Sequence, residues 1–164
     1  GIMVAIYSYQ DRYRALPGDD QSATRKFTIA NLPPHITTIE NGNGDGEISG
    51  KFDDASENPD NTKESRHFWA HSRLAGLIKG EVGSTVQPYH AFNGVIGVSS
   101  QPVTMGRIPM TISGLFVGFT EIPNHIAIIL ESRNDDNQPH SGRIQTQAFN
   151  YINTSTQHKI YFAL

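Results

Sequence analysis

The sequence predicts an α+β fold in which two helices precede a run of antiparallel strands, with long loops between them. Apolar residues recur at helical spacing at the start of the chain and again near its middle. Beyond Pro88 the chain changes to short β-branched and aromatic runs separated by glycine and proline. The 15 glycines and 9 prolines indicate many turns. For 164 residues we expect a single domain, residues 1–164.

The first predicted helix covers residues 1–16. Its apolar side chains follow steps of four, three, four and three, which places them in one stripe on one face. Pro17 and Gly18 end it, because proline restricts the residue before it and glycine permits a tight turn. No capping residue precedes the stripe, so we expect the natural chain to continue upstream. The stripe consists of Ile2, Ile6, Tyr9, Tyr13 and Leu16.

Polar and turn-forming residues dominate positions 19–62, which predicts a long irregular surface segment with a short helix near residues 22–30. A second helix follows. Asn61 and Glu64 form a capping-box-like start, a broad apolar face follows, and Lys79 and Gly80 end the helix.

The remaining elements are predicted to be mostly strands. The segment 123–133 fits either a helix or a buried strand, and Pro123, which suits a first helical turn, favours the helix. The predicted strands cover residues 90–99, 102–105, 107–113, 115–120, 142–147 and 158–164.

Composition excludes several classes of function. A net charge of −3 with 18% charged residues argues against a polybasic nucleic-acid binder. No apolar run in the given sequence approaches the ~18 residues of a membrane span. The absence of cysteine excludes disulfides, thiolate zinc sites and cysteine nucleophiles.

Residues 41–48 look like the first half of a calcium loop, with Asn41, Asn43 and Asp45 as alternate oxygen ligands and Gly46 at the bend. The twelfth position of such a loop should be a glutamate, and here it is Phe52. The alternative is a plain Gly/Asn turn. Calcium is therefore the one cofactor that the sequence suggests, with these three residues as its candidate ligands.

Other polar groups give weaker signals. His67 and His71 lie four residues apart on the second helix, a spacing that can hold a metal but that also suits a hydrogen-bonded histidine in a packed helix. Asp135 and Asp136 are explained by turn chemistry. Residues 153–155 match a glycosylation sequon by composition. With no nucleophile elbow and no phosphate-binding loop, we expect no enzyme.

Four blocks, in order along the chain, resemble bacterial type IV pilin-like proteins, which carry a prepilin cleavage and methylation leader. The blocks are Tyr9-Gln10-Asp11-Arg12-Tyr13-Arg14-Ala15-Leu16-Pro17-Gly18-Asp19, Asn43-Gly44-Asp45-Gly46-Glu47-Ile48, Trp69-x-His71 with Leu74-Ala75-Gly76-Leu77-Ile78, and Asp135-Asp136 through Pro139 to Gly142-x-Ile144.

This resemblance implies a pilin-like fold in which the N-terminal helix packs on the antiparallel sheet, with residues 1–16 as the lower half of a longer helix. It implies a structural subunit, major or minor, of a type IV pilus or of the pseudopilus of type II secretion. The implied partners are other pilin subunits, prepilin peptidase and the inner membrane, the last through an apolar rod that is absent here. The implied location is a periplasmic head anchored in the inner membrane, and later a filament.

The stripe on the first helix would then form the filament and core face. The loop 41–46 and the turn 135–142 would form exposed edges that contact other subunits. Two other hypotheses remain open: a calcium-dependent binding module that uses the Asn41–Asp45 loop, and a small hydrolase or metal enzyme built on His67 and His71.

Overall fold

The computed structural model describes residues 1–34, 36, 38–54, 62–105, 108–146 and 157–164. The described residues combine helices with a four-stranded antiparallel sheet, which confirms the α+β class. The chain forms two compact units, Gly1–Gly50 with Ser56–Gln87 and Lys51–Ala55 with Pro88–Leu164. The single domain predicted for residues 1–164 stays a prediction. The sequon at residues 153–155 and the proposed cap at position 61 lie outside the described residues.

The first unit is helical. Helix α1 covers Ile2–Tyr13, α2 covers Ala23–Lys26, a short 3-10 helix covers Ile29–Asn31, and α3 covers Glu64–Leu74. The prediction of a short helix near residues 22–30 is thereby confirmed.

Both long helices of this unit end earlier than predicted, for backbone reasons. Arg14 takes the left-handed conformation at φ 57° and donates its N–H to the Gln10 carbonyl, which closes α1 before Leu16. Gly76, at φ 70°, does the same after α3, where the Leu77 N–H reaches the Ser72 carbonyl. The end predicted at Lys79 and Gly80 was therefore wrong.

The polar segment after α1 is not a surface segment throughout, and that prediction was wrong. Asp20 is 1% exposed and Ile48 is fully buried. Phe27 and Ile36 are buried as well. The few apolar residues of this segment lack helical or strand periodicity, so their burial follows from where the loop is held and not from a sequence pattern.

Tyr9 is the centre of the core around α1. Its ring is fully buried, lies 4.6 Å from the Tyr13 ring and stacks on the His71 ring at 6.4 Å. Ala23 and Phe27 complete the buried cluster. Within this unit α1 thus packs on α3 and on the segment around α2. The packing of α1 on the sheet, which the resemblance implies, stays a prediction.

The second unit contains the sheet. Strands β1 (Ile96–Ser99), β4 (Phe116–Pro123), β6 (Gln157–Ala163) and β5 (Ile144–Thr146) lie in the order β1-β4-β6-β5, and every pairing is antiparallel. Strands β2 (Thr104–Met105) and β3 (Ile108–Pro109) form a separate two-stranded pair. Each predicted strand has a counterpart among the described residues. Strands β1, β2, β3 and β5 cover only part of their predicted ranges; residues 91–93, for example, form a turn before β1. Strand β4 is longer than predicted, and β6 has the predicted length, shifted by one residue.

Helix α4 covers Asn124–Asn134 and follows β4 directly, which confirms the helical interpretation of this segment. Ala127 and Ile122 are buried against Ile160 of β6 and Ile144 of β5. A second cluster in the same unit groups Phe52, Phe116 and Tyr161 in edge-to-face contact.

Candidate functional site

A buried carboxylate, Asp19, holds the glycine-rich loop that sequence analysis singled out. Asp19 Oδ1 accepts the N–H groups of Gly44 and Asp45 at 2.5 and 3.1 Å, and Oδ2 accepts the N–H of Gly46 at 2.8 Å. The side chain follows the Pro17-Gly18 turn, which directs it into the loop. Burial raises the pKa of Asp19 above its usual range although the amide hydrogen bonds oppose this shift.

A second buried carboxylate, Glu64, accepts hydrogen bonds from two residues of the same segment, one before and one after the residues that Asp19 holds. Glu64 Oε1 accepts the N–H of Asn43, and Oε2 accepts the N–H of Ser49, both at 2.9 Å. Glu64 is the first residue of α3 and is 5% exposed. It therefore ties the first turn of α3 to the loop, a different role from the capping-box role expected from sequence.

The three predicted calcium ligands lie in this loop and are exposed, and their oxygens accept backbone amides. Asn41 Oδ1 accepts the Thr24 N–H at 3.0 Å. Asn43 Oδ1 accepts the Asp45 N–H, and Asp45 Oδ1 accepts the Glu47 N–H, both at 2.9 Å. The last two bonds, each between a side chain and an amide two residues ahead, are the ordinary turn chemistry of Asn and Asp, whereas Asn41 bonds to the distant residue Thr24 of α2.

One carboxylate oxygen from each of Asp19, Asp45 and Glu64 lies within 4.8 Å of the others. Oxygen donors suit a calcium ion in chemical terms. The hydrogen bonds, however, already account for the position of Asp19 and Glu64 without an ion, so calcium binding stays a prediction. Sequence analysis missed both residues as neighbours of the loop, because nothing in their local pattern links positions so far apart.

His71 is a fully hydrogen-bonded core histidine. Its Nδ1 accepts the Gly18 N–H at 2.9 Å, and its Nε2 lies 2.9 Å from the Glu40 carbonyl oxygen. A carbonyl can only accept, so Nε2 carries the proton and the ring is neutral. Burial is the main reason why its pKa falls to about 4.

The two hydrogen bonds of His71 argue against a metal site at His67 and His71. The His67 and His71 rings stack at 5.9 Å, as helical spacing predicts. A metal at His71 would have to replace the Gly18 N–H or the Glu40 carbonyl, and each of these bonds fixes a loop against α3. The geometry therefore favours the packed helix over the metal pair as the interpretation of this spacing.

Asp20, the neighbour of Asp19, forms a second buried network. It accepts hydrogen bonds from Tyr9 Oη at 2.9 Å and from the Ser22 N–H at 2.9 Å, and Lys26 Nζ lies 2.7 Å from Oδ2. Burial alone would raise the pKa of Asp20, but the bonds from Lys26, Ser22 and Tyr9 lower it below its usual range. Burial also raises the pKa of Tyr9, and the Asp20 charge adds to this.

The second acidic turn lies in the other unit and is held by its own residues. Asp136 Oδ1 accepts the Gln138 N–H at 2.9 Å, and Oδ2 accepts the Ser141 hydroxyl at 2.6 Å. Asp135 Oδ2 accepts the Ile144 N–H at 2.5 Å. These short-range bonds lower the pKa of Asp136, which is exposed.

The structure separates the predicted stripe of α1 into two groups. Ile6 and Tyr9 are buried, whereas Ile2, Tyr13 and Leu16 are only partly buried. The helix also exposes apolar side chains away from that stripe, at Met3, Val4 and Tyr7, which sequence analysis did not single out. Their apolar character could have indicated a second contact surface. Amphipathic spacing, however, identifies only one apolar face of a helix.

No family model, curated protein or solved structure matches the chain. Among the described residues, no helix has the length and apolar character needed to cross a bilayer.

Proposed function

We propose that the chain is the head of a filament subunit of the type IV pilin or type II secretion pseudopilin kind. In this proposal an apolar helical rod precedes residue 1 and anchors the subunit in the inner membrane before assembly. Prepilin peptidase would cut before the rod. The head would then lie in the periplasm or on the cell surface as part of a polymer.

The observation that carries the proposal is that the first of the four resembling blocks contacts both the second and the third. The Gly18 N–H of the first block bonds to His71 of the third, and Asp19 of the first holds Gly44 and Gly46 of the second. Tyr9 of the first block stacks on His71. Short matches that arise by chance have no reason to meet, so this convergence supports treating them as one inherited structural unit.

The position of α1 supports the same proposal. In a bilayer a continuous helix satisfies every backbone group internally, so one helix can anchor a subunit and later form the apolar centre of a filament. Helix α1 has a buried face at Ile6 and Tyr9 that binds it to the head. Its exposed apolar residues, Val4 and Tyr7, remain available for contacts with other chains.

A calcium-dependent binding module is the second candidate, favoured by the approach of Asp19, Asp45 and Glu64 to within 4.8 Å. A ligand that binds only the native state must stabilise it. Thermal unfolding in EDTA and in millimolar calcium therefore distinguishes the two: a shift that the Asp45→Asn variant lacks would favour the binding module.

The proposed function is tested with the full gene in its own host. We expect about twenty apolar codons just upstream of Gly1, preceded by a short basic leader. The tagged gene product should fractionate with the inner membrane, lose the leader when prepilin peptidase is present, and appear in filaments sheared from the cell surface or in the periplasm.

The matched control is the same gene with its leader cleavage site altered, which should keep the protein in the membrane and out of filaments. A product that is neither processed nor membrane-bound would overturn the proposal. So would an upstream sequence without an apolar segment.

A further inference from the structure

The exposed side of α1 carries a stripe that changes from apolar to charged. Val4 is 64% exposed and Tyr7 is 61% exposed. Asp11, also exposed, continues the line at a helical step of four, and the exposed Arg14 follows as the residue that ends the helix. The stripe is distinct from the buried face at Ile6 and Tyr9.

Helix α4 carries a stripe of the same design in the other unit. Ile126 is partly buried and Ile129 is 42% exposed. Arg133 continues the line in the last turn, and Asp136 lies in the turn directly after the helix; both are exposed. The steps between these four residues are again three, four and three.

The apolar end of the α4 stripe borders a groove of about 320 Å³. Ile126 and Leu130 form one wall, and the rest of the lining comes from the sheet and from the turn before β1, including three aromatic side chains. These aromatic residues are Phe92, Phe119 and Phe162. An apolar groove open to water is typical of a surface that binds a partner.

The two stripes are complementary when the helices lie parallel. Both helices rise ~1.5 Å per residue, so the first three residues of each stripe, which lie within the helices, are at equal heights. Apolar residues then face apolar residues, and each charge faces its opposite. An antiparallel arrangement would place the apolar ends against the charged ends. The facing pairs in the parallel arrangement are Val4 with Ile126, Tyr7 with Ile129 and Asp11 with Arg133; Arg14 and Asp136, of opposite charge, lie just beyond the two helix ends.

We infer that α1 of one copy docks, parallel to α4, on the groove of a second copy of this chain. The inference rests on the proposed function, since it names the contact between subunits that a filament would use. Because the two surfaces differ, a docked pair still has one free groove on the first copy and one free stripe on the second. Such heterologous contacts extend into an open chain unless the rotation between copies closes a ring.

Sedimentation velocity of the 164-residue chain over a wide concentration range tests the contact. Val4→Ser and Ile129→Ser should each weaken self-association tenfold or more, because central apolar contacts dominate interface energies. Matched controls make the same changes at similarly exposed positions outside both stripes. Val86 is 56% exposed and Ile29 is 44% exposed, so Val86→Ser and Ile29→Ser should leave association unchanged.

Mixing the two deficient variants tests whether the contact joins two different surfaces. The Val4→Ser copy keeps its groove and the Ile129→Ser copy keeps its stripe, so an equimolar mixture should form heterodimers and nothing larger. If instead the α1 stripe bound another α1 stripe, or the groove another groove, mixing the variants would not restore association. Failure of the mixture to associate would overturn the inference.

Charge reversal supplies a second test with exposed residues only, so that folding is preserved. Asp11→Arg and Arg133→Asp should each weaken association about five- to tenfold, because like charges then face each other. The double variant should recover wild-type association. Glu47→Arg, an exposed change of equal charge, is the control.

A chain that stays monomeric at all concentrations, or a double reversal that does not recover, would overturn the docking. If the full-length protein still enters filaments in that case, the proposed function stands. If docking is observed but the gene encodes no upstream apolar segment, the proposed function falls and the contact between copies remains.

Discussion

Two polar segments that contain Asn, Asp and Gly are held in different ways. The loop 42–46 in the first unit is held by Asp19 and Glu64, whose bonded partners in the loop lie 21 to 27 residues away along the chain. The turn after α4 in the second unit is held by Asp135 and Asp136 through partners 2 to 9 residues away. Both use carboxylates that accept backbone amides, but only the first brings its carboxylates from distant elements.

The difference shows which segment depends on the rest of the fold. A turn that satisfies its own amides can form wherever the chain needs to reverse direction. The glycine-rich loop cannot, because its amides need acceptors that arrive only when α1, α3 and the turn at Gly18 have assembled. We therefore expect changes at the distant carboxylates to act on the whole first unit and changes at the local turn to act little.

The largest effect is expected for Asp19→Asn. The amide has one acceptor oxygen in place of two, and its NH2 group would face backbone N–H donors in a buried position, so we expect a loss of about 3–5 kcal/mol of folding free energy. Urea unfolding measures it. The loss should be the same in EDTA, and the control, Asp45→Asn at an exposed position, should cost much less. A loss seen only with calcium present would contradict this account.

Gly18→Ala should be the next most harmful change. At φ 95° a Cβ would lie 2.6 Å from the Glu64 carbonyl oxygen and 3.1 Å from the Phe68 backbone nitrogen. Gly46, at φ 88°, has open space around it, so Gly46→Ala carries the backbone strain alone. We expect Gly18→Ala to cost ~2–3 kcal/mol more than Gly46→Ala, measured by urea unfolding. Equal losses would mean that the turn does not need its close approach to α3.

His71 predicts a pH dependence of the first unit. Its folded pKa is about 4, below the ordinary value of 6.5, so the unfolded chain binds more protons between these values and stability falls as pH falls. Between pH 7 and pH 5 the contribution of His71 alone should be a loss of about 2 kcal/mol. His71→Gln keeps a donor and an acceptor but should remove this dependence. An unchanged pH profile in that variant would assign the titration to another group.

The smallest effect is expected for Asp136→Asn. The side chain is exposed, its partners are local, and asparagine can still accept the Gln138 N–H through its carbonyl oxygen. Thermal unfolding should give a midpoint close to that of the wild type. A loss comparable to that of Asp19→Asn would show that the turn is as dependent on distant contacts as the loop.

Local pattern predicted the elements well and the site poorly. The apolar stripe predicted for the first helix and the proline at position 123 were sufficient to predict α1 and α4, because residues three or four positions apart lie on one face of a helix. The loop at Asn41–Asp45 was recognised as a turn or a calcium loop from its glycines and side-chain oxygens. Asp19 and Glu64 were not assigned to it, since no local rule connects a residue after α1 with the first residue of α3.

The sequence by itself determined the order of helices and strands, the turn chemistry and the charge of this chain, since all of these depend on neighbours within a few residues. Three outcomes required the packed structure: Asp19 and Glu64 hold the loop, His71 is neutral and fully hydrogen-bonded, and Val4 and Tyr7 stay exposed. Those outcomes depend on which distant groups exclude water from one another, and burial of that kind is settled only when the elements pack.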